Sequence, residues 1–171
     1  AKMMDLVLVR HAIAEEREVF ARTGKPDHRR PLTPRGKKRM RLGAAGLRRL
    51  VPAVDLLASS PFVRAIQTAE IISDAYGGLG IAELADLKPE ATSERLLHWL
   101  QDQKGDSTIV VVGHEPSFSM HISWFTARAD EPFLDFKKGG ACLLTFYDEI
   151  YSGGATLRWL LSPAILRALG D

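Results

Sequence analysis

The chain has 171 residues, 46% of them apolar and 26% charged, with a net charge of +2. That mixture fits a single globular domain over residues 1–171 and excludes a disordered tail, a fibre or a coiled coil. The longest aliphatic runs, residues 6–9 and 109–112, are four residues each; a membrane helix needs about 20, so no membrane span is expected.

The chain starts Ala1-Lys2-Met3-Met4, without the pattern of a signal peptide, and passes into an aliphatic run over residues 5–9 that reads as a buried strand. Residues 12–31 are polar and without period, a loop with at most one helical turn. Thr33-Pro34 is the N-cap and first position of a helix reaching Leu50, which Pro52 ends. Residues 54–58 form a second buried strand. Ser60-Pro61 repeats the cap signal, and Phe62, Ile66, Ala69 and Ser73 recur at helical spacing to about Tyr76, where Gly77-Gly78 stops the helix. A weak strand follows over residues 81–84. Residues 93–103 are helical, with Leu96, Leu97 and Leu100 as the apolar stripe. Residues 108–112 (TIVVV) are the strongest strand. A helix over 116–127, strands over 141–147 and 156–161 around a turn at 148–154, and a helix over 163–169 complete the chain. Alternating strands and helices imply a three-layer α/β/α architecture around a mostly parallel, mixed sheet.

Ligands of such sheets sit beyond the carboxyl ends of the strands. The first strand runs into Arg10-His11. The second ends in Ser59-Ser60-Pro61, with Arg64 in the first turn of the next helix. The strongest ends in Gly113-His114-Glu115-Pro116. Taken singly, each feature has a plain structural reading: a surface arginine, a turn cap. Together they bring two arginines and two histidines to one edge, with no acid expected among the converging groups. Helix N-termini after Ser60 and Glu115 add backbone donors. This suits a dianion, because arginine's fork matches phosphoryl oxygens. A histidine there is kept neutral by the surrounding positive charge, so a ring nitrogen is free for attack on phosphorus. Fixed cations would stabilise the transition state, so neither metal nor other cofactor is called for.

These residues resemble a known family. Val9-Arg10-His11-Ala12 is similar to the Arg-His-Gly signature of the histidine phosphatase superfamily, the phosphoglycerate mutase-like proteins. Residues 31–36 (PLTPRG), 59–69 (SSPFVRAIQTA) and 112–116 (VGHEP) resemble its further signatures, in the right order. Ala12 and the short chain look most like the SixA-type phosphohistidine phosphatase branch. The resemblance implies a phosphoglycerate mutase-like fold and a hydrolase with His11 as phosphorylated nucleophile. Arg10 and Arg64 would hold the phosphoryl oxygens, and His114 would hydrogen-bond the phosphoryl group. Larger members have a glutamate after the third strand as proton donor; here Asp86 is the counterpart, with Glu83 and Glu90 nearby.

That departure bears on substrate. An alkoxide leaving group needs a proton, a contribution of about 10²–10⁴-fold, whereas a phosphorylated imidazole already carries one more readily. Little chain is left for a lid between residues 84 and 108. Both points favour phosphohistidine on a partner protein, in signal transduction, over a sugar phosphate. The product would be inorganic phosphate. Two alternatives stay open: a phosphatase of small phosphate esters, and a non-catalytic module that binds phosphorylated protein or another polyanion.

Eleven Lys or Arg but only one acid, Asp27, lie between residues 22 and 49. A solvated helix face, an anionic partner and nucleic acid are the readings; no interleaved aromatics offer the stacking that nucleic acid would want, so no nucleic-acid partner is expected. His98 reads as a helix-face or core residue. His114 and His121, seven apart, could share a helix face but have no acidic third ligand, so no metal site is assigned. His28 carries no signal of its own. Cys142 reads as a buried apolar side chain, and a lone cysteine fits a reducing cytoplasm. Glu15, Glu16 and Glu18 either balance the basic stretch or reach the site. Gly139-Gly140 reads as a turn.

Overall fold

The structure, a computed structural model, describes residues 2–171. Ala1, the first residue of the leaderless start expected above, lies outside the described residues. Strands β1 (Met3–Arg10), β2 (Leu56–Ser59), β3 (Ile81–Glu83), β4 (Thr108–Gly113), β5 (Ala141–Tyr147) and β6 (Ala155–Leu161) form one sheet in the order β3-β2-β4-β1-β5-β6. β1, β2, β3 and β4 run parallel, and β5 and β6 are antiparallel additions at one side. Among the described residues the α-helices are α1 (Arg17–Ala21), α2 (Pro34–Leu50), α3 (Val63–Ala75), α4 (Ser93–Gln101), α5 (Ser117–Ala127) and α6 (Pro163–Gly170).

Alternation along the central strands divides the core into two layers, because successive strand side chains point to opposite faces. Leu6 and Leu8 of β1 and Ile109 and Val111 of β4 join α4 and α5 through Leu96, Leu100, Phe118, Ile122 and Phe125. Val7, Val9, Val110 and Val112 face the other way, onto Met40, Ala44 and Leu47 of α2, Ala65, Ala69 and Ile72 of α3, and Leu166 of α6. Being buried on both faces is why these strands read as continuous aliphatic runs. The expected three-layer α/β/α fold is thus found.

Several boundaries differ from expectation. The α3 helix begins at Val63, with Phe62 in the cap position, so Ser60-Pro61 is neither cap nor first turn. Ser60 Oγ instead accepts from Phe62 N at 3.2 Å and meets His114. The buried face of α3 runs through Arg64, Ala65, Thr68, Ala69, Ile72 and Ser73, leaving Ile66 half-buried. Residues 12–31 are more ordered than a loop. They hold α1, a 3-10 turn at Asp27–Arg29 and a bridge between Ala14 and Leu32. Thr33 caps α2 as expected, accepting from Gly36 N at 2.9 Å.

Candidate active site

The parallel register sets the site. Arg10 lies opposite Gly113, and His11 N donates to Gly113 O at 2.9 Å. Ser59 lies opposite Val112, and Ser60 N donates to Val112 O at 3.0 Å. Three strands therefore end level, and the residues that follow them emerge at one edge. The loop behind His11 is tied to α3: Ala12 N donates to Thr68 Oγ1 at 3.0 Å, and Thr68 Oγ1 donates to Arg64 O at 2.8 Å. Gly139, at φ +79°, donates its N–H to the carbonyls of Arg10 and His11, so the expected glycine turn braces the first signature from the other side.

Arg10, His11, Arg64 and His114 line one cleft of ≈ 510 Å³. The two imidazoles stand with ring centroids 5.2 Å apart. His11 Nδ1 is 2.8 Å from Ala12 O. A carbonyl only accepts, so Nδ1 carries the proton and the neutral ring keeps its lone pair on Nε2. Burial, then the neighbouring His114, Arg64 and Arg10, lower the His11 pKa well below the ordinary histidine value, against the opposing hydrogen bond to Ala12 O. His114 is pushed down to about 3, by burial first and by Arg64 and Arg10 next. Both rings are neutral near pH 7.

The donors around them are incompletely used. Arg10 Nη1 donates to Phe136 O at 2.8 Å. Arg64 Nη1 donates to the Asp27 carbonyl at 3.1 Å, and Nη2 pairs with the Asp27 carboxylate at 3.3 Å. His114 Nε2 meets Ser60 Oγ at 2.8 Å. That leaves Arg10 Nε, Arg64 Nε and His114 Nδ1 buried with no partner. Buried unpaired polar groups are costly and rare, so three on the walls of one cleft mark a place built for an acceptor-rich ligand.

Asp86 is not brought into this cleft. It sits on a 3-10 turn, Ala85–Leu87, that directs Leu87 into the core, and its Oδ1 accepts from Arg95 Nε at 3.2 Å. It lines a separate groove with His98 and Trp99. The expectation of an acid-free edge is also corrected. Asp27 pairs with Arg64 and with Arg30, whose Nε is 2.9 Å from its Oδ1. Glu115 lines the cleft, and its carboxylate accepts from Ser119 N at 2.7 Å and from Ser119 Oγ at 2.5 Å. Glu15, Glu16 and Glu18 line it as well, which resolves where they lie.

Ser60, Asp27, Arg30 and Lys138 were not singled out as site residues by sequence. Lone Asp27 amid eleven basic residues was the available signal. Of those eleven, Arg30 alone is buried, and it reaches Glu15 O at 2.8 Å. Among the described residues no group of three His, Cys, Asp or Glu is gathered for a metal, and no helix is long and apolar enough to cross a membrane.

Comparison with known proteins agrees with the fold and the sequence signatures. Residues 6–89 match the family model of the histidine phosphatase superfamily (branch 1). An uncharacterized protein of Picosynechococcus sp. is 32% identical over 139 residues, covering 80% of this chain and 82% of its own. The phosphohistidine phosphatase SixA of Escherichia coli is 28% identical over 167 residues, 96% of this chain and 97% of that one. The solved structure of the protein histidine phosphatase SixA complexed with tungstate superposes with a TM-score of 0.80 at 24% identity, over 95% of this chain and 99% of that chain, a likeness of fold. The sequence signatures, the sheet and these relatives agree: the chain belongs to the histidine phosphatase superfamily and is similar to its SixA-type members.

Proposed function

We propose that the protein is a metal-independent phosphatase that works through a phosphohistidine on His11, and that its substrate is phosphohistidine on a partner protein. The observation that carries the reading is the trio of buried, unpartnered nitrogens on Arg10, Arg64 and His114 around a neutral His11. A phosphoryl group supplies the oxygens those nitrogens lack.

His11 Nε2 attacks phosphorus as the bond from phosphorus to the substrate nitrogen breaks. The departing imidazole takes its proton with it. Water then attacks the phosphorylated His11, a P–O bond replaces the P–N bond, and inorganic phosphate leaves with the neutral ring restored. Charge that builds on the equatorial oxygens is met by the two arginines and by His114. Ser60 O–H donating to His114 Nε2 leaves the His114 proton on Nδ1, as this role requires.

Two features favour a phosphorylated imidazole over an alkyl phosphate. Asp86 is engaged with Arg95 in another groove. Beside the cleft, Asp27 is engaged by arginines, and on its wall Glu115, next to His114, is engaged by Ser119, which leaves Glu15, Glu16 and Glu18 as the cleft carboxylates to be tested as proton donors. The chain between β3 and β4 is short and spends Leu96, Leu97 and Leu100 on the core, which leaves little to cover the cleft against a macromolecular substrate.

Rapid quenching during turnover should trap phosphate on His11, labile to acid and stable to base. His11→Ala should lose both label and turnover, chelators should have no effect, and vanadate should inhibit. Label on another residue, or full activity in His11→Ala, removes the mechanism. Faster turnover of alkyl phosphates than of phosphohistidine removes the substrate assignment alone.

A further inference from the structure

Beside the His11 cleft lies a second pocket of ≈ 370 Å³, between the N-terminal end of α4 and α5. Pro89 lines both, so the two share an edge. Their walls differ in charge. The first sets Arg10, Arg17, Arg30, Arg64 and Lys138 against Glu15, Glu16, Glu18 and Glu115, whereas the second carries Glu90, Glu94 and Asp130 and, among the described residues, no Lys or Arg.

A buried histidine gives the second pocket its meaning. His121 lines it, is 2% exposed, and joins its Nδ1 to Ser93 Oγ at 2.6 Å. Its Nε2 is buried without a partner, the one such nitrogen among the described residues that is not on a residue of the His11 cleft. Burial lowers its pKa to about 4, so the ring is neutral near pH 7. The Ser93 contact engages Nδ1 alone, so Nε2 is left for a group that enters the pocket; in the tautomer with the proton on Nδ1, a ligand that brings an N–H satisfies it. Trp124 adds an aromatic wall, which attracts a cation.

We infer that this pocket receives a cationic side chain, lysine or arginine, of the same phosphorylated protein whose phosphoryl group enters the His11 cleft. The inference rests on the phosphatase reading and deepens it. The substrate is a segment carrying both a phosphorylated residue and a nearby base, and a cleft with buried arginine donors beside a pocket whose only charged residues, among those described, are acids selects for that combination. The acidic side chains are exposed, so they guide and hold the base at little cost to the fold.

The test compares three substrates: a phosphohistidine peptide with a neighbouring lysine, the same peptide with norleucine in its place, and p-nitrophenyl phosphate. Wild type should favour the lysine peptide in kcat/KM by about tenfold, the sum of several exposed ion pairs and a cation–π contact. Glu94→Gln with Asp130→Asn should abolish that preference and leave p-nitrophenyl phosphate turnover within about twofold, since solvent-exposed charges make small contributions. His121→Phe should weaken it too; the exposed double variant carries the test should the buried substitution unfold the chain. Equal rates on the two peptides, or a preference that survives in the double variant, overturn the inference while the phosphatase reading stands. A folded wild type that is idle on all three substrates overturns the phosphatase reading and the inference with it.

Discussion

Arg64 divides its guanidinium between Asp27 and the cleft. Nη1 and Nη2 are held by Asp27, through the carbonyl at 3.1 Å and the carboxylate at 3.3 Å, while Nε has no partner. Asp27 itself sits between opposing influences: burial raises its pKa, but the Arg30 hydrogen bond and the charges of Arg64, Arg30 and Arg17 prevail and hold it below the ordinary value. It stays ionised throughout the neutral range and fixes the guanidinium whose Nε is left without a partner. Arg64→Ala should lower kcat/KM by about 10²-fold or more, the scale of losing one preorganised donor. Asp27→Asn keeps Arg64 but loosens it, so the loss should be smaller, about tenfold, and should appear in kcat more than in KM. Steady-state kinetics on p-nitrophenyl phosphate check both, and an Asp27→Asn variant as active as wild type would show that the pair merely decorates the surface. Arg10, His11, Arg64 and His114 were legible because each follows a strand end or opens a helix, positions that sequence pattern locates. Asp27 was not. Its partners stand 3 and 37 residues away, and only the folded loop brings them together.

Helices α2 and α6 meet with backbone against backbone. A Cβ on Gly46 would collide with the Leu166 carbonyl, and one on Gly170 with the Leu42 carbonyl. The contact can be this close because those positions lack side chains, and a backbone carbonyl cannot rotate away as a side chain would. Three residues earlier on α2, a Cβ on Gly43 would meet nothing within 4 Å. The same substitution should therefore act with opposite sign in one helix. Gly46→Ala should destabilise by about 2 kcal/mol, as overpacking outweighs the gain in helix propensity. Gly43→Ala should stabilise by up to about 1 kcal/mol through that propensity alone. Urea denaturation of the two variants reads the difference, and two shifts of the same sign would contradict the packing. The sequence offered no hint of this. Capping, proline and apolar spacing located α2 and α6, because those signals act within a few residues, but which glycine touches a neighbouring helix depends on how two distant segments cross. For the same reason the cap signal at Ser60-Pro61 misled: a serine that serves a histidine 54 residues away cannot be told from a helix cap by its neighbours alone.

The whole molecule carries its function as a burden on stability in acid. Three histidines are buried, His11, His114 and His121. Burial leads each shift downward: His11 falls well below its ordinary value, His114 to about 3 and His121 to about 4. The unfolded chain takes up protons on these rings below about pH 6.5, whereas the folded chain does not until far lower. Unfolding therefore gains protons, and stability falls as pH drops through that window; it is fully present above about pH 6.5. At pH 5 the loss is about 2 kcal/mol for each of His114 and His121, a large share of the roughly 5–15 kcal/mol that a domain commands. The ionised Asp27 adds nothing to this trend, because its lowered pKa keeps it charged at both pH values. Thermal melts should show Tm lower by on the order of 10 °C at pH 5 than at pH 7, since each kcal/mol moves a chain of this size by about 2–4 °C. His121→Phe, where it folds, should remove about 2 kcal/mol of that dependence and leave the part due to the two cleft histidines. Equal melting temperatures at the two pH values would mean that these rings take up protons while folded, and a neutral His11 could then no longer be assumed near the acid end of the range.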